Sequence, residues 1–198
     1  METLCIIPAR GGSKSVPRKN LTLIGGRTLL SHAAHCIKNS HTVTRTILST
    51  DAPEIADQAR ALGLDVPFLR PPELAQDETT DWPVFLHCLN WLRDNERYFP
   101  DIIVHLRLTS PFAFKRNSPV LGTFPDGWTY ISRERVIDDM VTLLHQHLHW
   151  DSIRSVEIAR DTPYKMWRLE NGCLFPFVNT TVGEIYNQPR QKIPPAYL

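Results

Sequence analysis

Apolar positions along the 198-residue chain alternate between two periods, one of strands and one of helices. Thr3 to Pro8 (TLCIIP) is a short run of β-forming residues that stops at a Gly/Ser/Lys segment, the pattern of a buried central strand. Thr28 to Lys38 places Leu29, Leu30, Ala33, Ala34 and Ile37 at helical spacing, and Thr44 to Ser49 returns to strand character. Asp51 to Leu62 predicts a second amphipathic helix capped by Thr50 or Asp51, and Asp65 to Leu69 a further short strand. Thr80 to Asn95 carries Val84, Phe85, Cys88, Leu89 and Leu92 on one helical stripe, ahead of a buried strand at Asp101 to Leu106. This alternation predicts an α/β fold: a mostly parallel sheet, right-handed crossovers and helices on both faces. The loops after Pro8, Ser49, Leu69 and Leu106 then share one rim, where ligands of such sheets bind.

Beyond Ala113 the pattern weakens, and Phe114 to Arg135 reads as an irregular loop. Helical spacing resumes over Val136 to His149, Asp151 to Ala159 is a strand candidate, and Tyr164 to Phe177 reads as a hairpin around Asn171-Gly172. The length suits one domain, 1–198, with an insertion at about 113–135 and an excursion at about 160–180.

Composition narrows the class. With 42% hydrophobic and 22% charged residues the chain reads as a soluble globular protein, and no apolar run is long enough to span a bilayer. Met1 to Arg10 lacks the pattern of a secretory signal, so the expected location is cytoplasmic, with no membrane partner. Cys5, Cys36, Cys88 and Cys173 form no CxxC pair and read as reduced, mostly buried thiols. The tryptophans at 82, 91, 128, 150 and 167 follow no stacking pattern and read mostly as core or interface. A net charge of +1 argues against nucleic acid as a partner. Locally the balance differs: residues 1–30 hold Arg10, Lys14, Arg18, Lys19 and Arg27 against Glu2 alone, a concentrated positive site suited to phosphate.

The candidate chemistry begins in the loop Ala9 to Asn20, ARGGSKSVPRKN. Its glycines let the backbone approach an anion, its amides can form a nest, and its cations neutralise phosphate charge. It is neither a Walker loop nor a GxGxxG turn. His145 and His149 would share a helical face, but no HExxH glutamate accompanies them, and they read as solvated, so no metal site is assigned.

Residues 6–20 (IIPARGGSKSVPRKN) closely resemble the amino-terminal signature of the acylneuraminate cytidylyltransferases, the makers of CMP-sialic acid and related CMP-sugars. The likeness continues through Ser49-Thr50-Asp51, Arg70 to Asp77 (RPPELAQD) and Leu108-Thr109-Ser110-Pro111. It resumes at Asp151 to Val156, Thr162 to Trp167 and Tyr186 to Gln191. The resemblance implies a three-layer α/β/α Rossmann-like nucleotidyltransferase fold with a small hairpin excursion for dimerisation, hence a homodimer. It implies transfer of CMP from CTP to the anomeric hydroxyl of a sialic-acid-like 2-keto sugar acid, with release of pyrophosphate.

By the same resemblance Arg10 and Lys19 hold the β- and γ-phosphates, where charge gathers as pyrophosphate leaves. Ser13, Lys14 and Asn20 add donors to phosphate or ribose. Arg70 reaches the nucleotide, Asp77 to Asp81, including Thr79, lie against cytosine and ribose, and Thr109 and Ser110 border nucleotide and sugar acid together. Lys165, Arg190 and Gln191 are candidates for the acceptor's carboxylate and hydroxyls, while Arg168 reads as a surface charge. Mg²⁺ is the expected cofactor, bridging phosphate oxygens. The sequence departs from the family in two places. The family's TSPLR is Thr109-Ser110-Pro111-Phe112-Ala113 here, and the aspartate pair that holds Mg²⁺ in the family has no counterpart before Leu198. Two further readings follow: a catalytically impaired nucleotide-binding homologue, or a cytidylyltransferase for another keto sugar acid such as 3-deoxy-manno-octulosonate.

Overall fold

The computed structural model describes residues 1–12, 16–111, 113–116, 128–155, 163–171 and 173–178. The chain divides into two compact units, Met1–Asp151 and Ser152–Leu198.

In the first unit β1 (Thr3–Pro8) leads through the loop of interest to a short 3-10 turn, Lys19–Leu21. A tight hairpin follows, β2 (Leu23–Ile24) and β3 (Arg27–Thr28). It turns on Gly25 and Gly26, whose φ angles of 58° and 79° suit residues without a Cβ. Helix α1 (Leu29–Lys38) is capped by Thr28, whose hydroxyl accepts from the Ser31 amide. Next come β4 (Arg45–Ser49), α2 (Pro53–Ala61), α3 (Asp81–Glu96) and β5 (Ile102–His105), then the antiparallel pair β6 (Ala113–Arg116) and β7 (Trp128–Ile131), and α4 (Arg133–Gln146).

The described sheet is parallel in the order β4-β1-β5, with Leu4 opposite Arg45 and Ile103 in register. Alternation along β1 feeds two cores. Cys5, Ile7 and Ala9 pack with Leu48 against Leu30 and Ala33 of α1, Ile55 and Ala59 of α2 and Ile137 and Val141 of α4. Leu4 and Ile6 pack with Ile47 against Cys88 and Leu92 of α3 on the opposite face. This is the expected three-layer arrangement. The connection from β1 to β4 runs over one face and the one into β5 over the other, so the crossover reverses beside β1 and opens a crevice beyond the strands' carboxyl ends.

Several expectations change. The strand expected over Asp65 to Leu69 reduces to one parallel bridge, Ile47 to Asp65, because Val66 onward turns away to position Arg70. The buried strand expected at 101–106 is half exposed, with Ile103 at 42%, because β5 lies at the edge of the described sheet. The supposed irregular segment holds β6, β7 and the first turn of α4, which begins at Arg133 rather than Val136. No strand covers Asp151 to Ser155, and 156–159 lie outside the described residues. Trp82 and Trp150 are exposed rather than core, Trp150 stacking on His147 at 4.1 Å.

Cys5, Cys36 and Cys88 are buried, and burial raises the Cys36 thiol to about 11 and the Cys88 thiol to about 12. Cys173 is exposed instead. In the second unit β8 (Trp167–Glu170) and β9 (Cys173–Pro176) form the expected hairpin, with Asn171 at φ 50° in its turn. Leu169 stands directly opposite Leu174, and both are exposed.

Candidate functional site

The crevice is built from the loops after β1, β4 and β5. Beyond β1 the Ala9 amide still donates to the Ser49 carbonyl at 2.9 Å, so the loop leaves the sheet only at Arg10. The Gly11 amide then donates to Asp51 Oδ1 at 2.9 Å. A glycine is needed there, since a Cβ would stand 2.8 Å from the Ala52 Cβ. The far end of the loop folds back through Arg18 at φ 51° into the Lys19–Leu21 turn. Asn20 is buried there and donates from Nδ2 to the Arg10 carbonyl at 2.9 Å. Lys19, half-buried, precedes it in the same turn. Ser13 and Lys14 lie outside the described residues.

Arg10 projects toward the 70–79 segment. Its Nη1 donates to the Gln76 carbonyl at 3.0 Å and pairs with the Asp77 carboxylate at 3.0 Å. Arg70 is buried. It donates from Nε to Ser49 Oγ at 3.0 Å, from Nη2 to the Ser49 carbonyl, and from Nη1 to the Leu74 carbonyl at 3.5 Å. Burial lowers the Arg70 pKa; Asp51 and Asp81 oppose that and Arg10 reinforces it, so four of these charges share one field. Arg70 thus braces the β4 loop, and its amide adds a bond to the Thr50 carbonyl at 2.7 Å.

Thr79 donates from Oγ1 to the Glu73 carbonyl at 3.3 Å, closing the 73–79 loop on itself. Asp81 opens α3, accepts from Arg107 Nη2 and lies 3.9 Å from His105 Nε2. Thr109 and Ser110 follow the buried Leu108 and are exposed beyond β5. His87, also on α3, has its pKa lowered by burial and by Arg70. Lys165 ends a 3-10 turn in the second unit with its side chain outside the description, and Arg190 and Gln191 lie outside it entirely. Arg168 is exposed on β8, across from Phe175.

The structure thus brings Arg10, Asn20, Arg70 and Asp81 to one rim with Thr109 and Ser110 at the end of the neighbouring strand. Sequence reasoning did not find the Asp51 clamp on Gly11, the Gln76 and Asp77 contacts of Arg10, or the tie of Arg107 to Asp81. The sequence predicts a cap on α2 from Thr50 or Asp51. The cap position is Ala52 with no side-chain bond; Thr50 Oγ1 instead accepts from the Ala52 amide at 3.1 Å. Amides and cations on a glycine turn at the end of a central strand can hold a polyanion. Among the described residues no group of three or more His, Cys, Asp or Glu side chains is placed to hold a metal ion, so these residues do not by themselves fit Mg²⁺. No described helix is long and apolar enough to cross a membrane.

The family model described as "Cytidylyltransferase" matches residues 4–117, the stretch carrying Arg10, Lys19, Asn20, Arg70, Asp81, Thr109 and Ser110. A pseudaminic acid cytidylyltransferase of Campylobacter jejuni is 35% identical over 115 residues, 58% of this chain and 49% of that protein. A CMP-N,N'-diacetyllegionaminic acid synthase of Legionella pneumophila is 35% identical over 112 residues, 57% of this chain and 48% of that one. An N-acylneuraminate cytidylyltransferase of Streptococcus agalactiae is 31% identical over 113 residues, 56% of this chain and 26% of that one. The chain spans about half the length of the first two relatives. Among solved structures, a CMP:2-keto-3-deoxy-manno-octonic acid synthetase complexed with CTP superposes with TM-score 0.57 at 16% identity, over 83% of this chain and 61% of that one. A 4-diphosphocytidyl-2C-methyl-D-erythritol synthase superposes with TM-score 0.54 at 14% identity, over 91% and 70%. At such identities the superpositions establish the fold, that of the nucleotidyltransferases.

Proposed function

Because this chain belongs to the cytidylyltransferase family, we propose that it transfers CMP from CTP to the anomeric hydroxyl of a sialic-acid-like 2-keto sugar acid. The hydroxyl oxygen forms a bond to the α-phosphorus while the bond from that phosphorus to the bridging oxygen breaks. Pyrophosphate carries off the electron pair, and the hydroxyl proton passes to solvent. No protein nucleophile is needed, so the protein contributes position and charge. Arg10 and Lys19 take the β- and γ-phosphates; Ser13, Lys14 and Asn20 add donors to phosphate or ribose. Arg70 holds the β4 loop in place, Thr79 and Asp81 flank cytosine and ribose, and Thr109 and Ser110 stand between nucleotide and acceptor. Lys165, Arg190 and Gln191 serve the sugar acid.

The observation that carries this reading is the bond from Asn20 Nδ2 to the Arg10 carbonyl, which joins the two described ends of the loop after β1 while the Arg10 side chain reaches the Gln76 carbonyl. The names of the relatives support an acceptor of the pseudaminic, legionaminic or neuraminic kind. Mg²⁺ dependence belongs to the proposal, and none of the steps above runs through the ion. So do a cytoplasmic location and a homodimer formed through the β8–β9 hairpin, whose Leu169 and Leu174 are 71% and 64% exposed. Neither nucleic acid nor membrane is a partner.

Calorimetry with CTP, UTP and ATP, with and without Mg²⁺, tests the nucleotide. CTP is expected to bind preferentially, and Arg10→Ala or Lys19→Ala to weaken it by roughly tenfold or more. Equal, weak binding of all three nucleotides, or unchanged affinity in both variants, overturns the assignment. Pyrophosphate release from CTP in the presence of each sugar acid then identifies the acceptor.

A further inference from the structure

We infer that Asp51 is a positioning residue that aims Arg10 at the triphosphate by pinning the peptide plane between Arg10 and Gly11; this rests on the cytidylyltransferase reading above. The two polar groups of that single peptide unit are both taken up by side chains. The Arg10 carbonyl accepts from Asn20 Nδ2 at 2.9 Å, and the Gly11 N–H donates to Asp51 Oδ1 at 2.9 Å. A peptide unit is planar, so fixing both ends fixes its rotation. With the preceding residue held by the Ala9 amide on the Ser49 carbonyl, fixing that plane fixes both backbone bonds at the Arg10 Cα, and so the direction in which its side chain leaves.

The clamp is itself braced. Asp51 sits in the turn from β4 to α2, where an aspartate ordinarily caps the helix. Here the first turn of α2 takes no side-chain cap, and the carboxylate reaches across 40 positions to the β1 loop instead. The backbone on its amino side is held by Arg70, through the Ser49 hydroxyl and carbonyl and the Thr50 carbonyl. The Ala52 Cβ on its other side closes the space under Gly11. Asn20, Asp51 and Arg70 therefore form one frame with the Arg10 side chain as its output.

The sign of the effect separates this role from a purely electrostatic one. A carboxylate near a triphosphate repels it, so removing Asp51 would by charge alone tighten CTP binding. Positioning predicts the reverse. Asp51→Ala is expected to weaken CTP and pyrophosphate by roughly tenfold, the loss of one well-made hydrogen bond, and to leave cytidine unchanged. Asp51→Asn keeps the acceptor oxygen and should bind CTP as tightly as wild type or more so. In an Arg10→Ala background Asp51→Ala should add little further loss, because its effect passes through that side chain.

Calorimetry with CTP, pyrophosphate and cytidine on these variants decides it. Equal losses for CTP and cytidine, tighter CTP binding by Asp51→Ala, or full additivity with Arg10→Ala overturns the inference. Should Asp51→Ala fail to fold, Asp51→Glu, which keeps the charge but moves the oxygen, is set against Asp51→Asn: weaker binding by Glu with retention by Asn supports the role, and the opposite order overturns it. If the wild-type chain binds no CTP, the family reading of the site falls and this inference falls with it; if it binds CTP and Asp51→Ala is silent, only this inference falls.

Discussion

Gly11 lies directly over Ala52: a Cβ on the glycine would stand 2.8 Å from the alanine Cβ, well inside contact distance. The close approach brings the loop after β1 down onto the turn after β4, within reach of Asp51. Gly11→Ala is therefore expected to lift the loop, costing about 1–3 kcal/mol of stability as overpacking does and lowering CTP affinity. Ala52 occupies the cap position of α2, where glycine is tolerated. Ala52→Gly in the same chain should recover most of both losses. Thermal unfolding and calorimetry on the single and double variants test the pair; a double variant no better than Gly11→Ala would show that the contact is not what matters.

Arg70 reads in sequence as a cation for the nucleotide, yet its donors are turned onto Ser49 and Leu74. Replacing it with alanine leaves the buried Ser49 hydroxyl without that donor and removes a bond to the Ser49 carbonyl. The expected cost is about 2–3 kcal/mol. In a chain of this size that lowers the melting temperature by roughly 5–10 °C. Arg70→Lys keeps the charge but not the fork, and should recover less than half of the loss. A melting temperature within 2 °C of wild type for Arg70→Ala, on the same scale, would contradict the bracing role.

How much of this could be read from the chain depends on the range of the interaction. β1 was legible because apolar residues on both parities of one strand fit only a sheet covered on both faces. Helices α1, α2 and α3 were legible because their stripes are local. β6 and β7 were not, since four residues carry no period of their own and each strand is defined only by the other, at least a dozen positions away. Arg10 and Asn20 announced themselves by following a buried strand with glycine and cations. Asp51 did not: an aspartate ahead of a helix looks the same whether it caps that helix or crosses to another loop. Arg107, one residue past the buried Leu106, gave no signal of its tie to Asp81.

The ion pair of Arg10 with Asp77 sets a competition. Both side chains are about a third or more exposed, at 34% and 40%, so the pair itself is worth little to stability. A triphosphate reaching Arg10 must nevertheless displace or share with that carboxylate. Asp77→Asn is expected to leave the melting temperature nearly unchanged while tightening CTP by about two- to fivefold at low salt, with a smaller gain at high salt. Weaker CTP binding by Asp77→Asn would instead make Asp77 a support for Arg10.

Asp138 of α4 ties that helix to the turn between α1 and β4. Its carboxylate accepts from Ser40 Oγ at 2.6 Å, Thr42 Oγ1 at 2.7 Å and the amides of His41 and Thr42 at 3.1 Å. Burial pushes its pKa up, but the hydrogen bonds from Ser40, Thr42 and the two amides bring it below the ordinary carboxylate value. A pKa lower in the folded than in the unfolded chain stabilises the fold above the unfolded value and ceases to do so as pH falls through the folded one. The gap in melting temperature between wild type and Asp138→Ala should then be widest above the unfolded value, about 4, and shrink as pH falls below it. His35 and His41 line the same open cavity of about 610 Å³ with Lys38, Glu134 and Arg135. Melting curves from pH 7 to pH 2.5 on the two chains measure the gap, and one that stays constant across that range would assign the stabilisation to packing rather than to the ionised carboxylate.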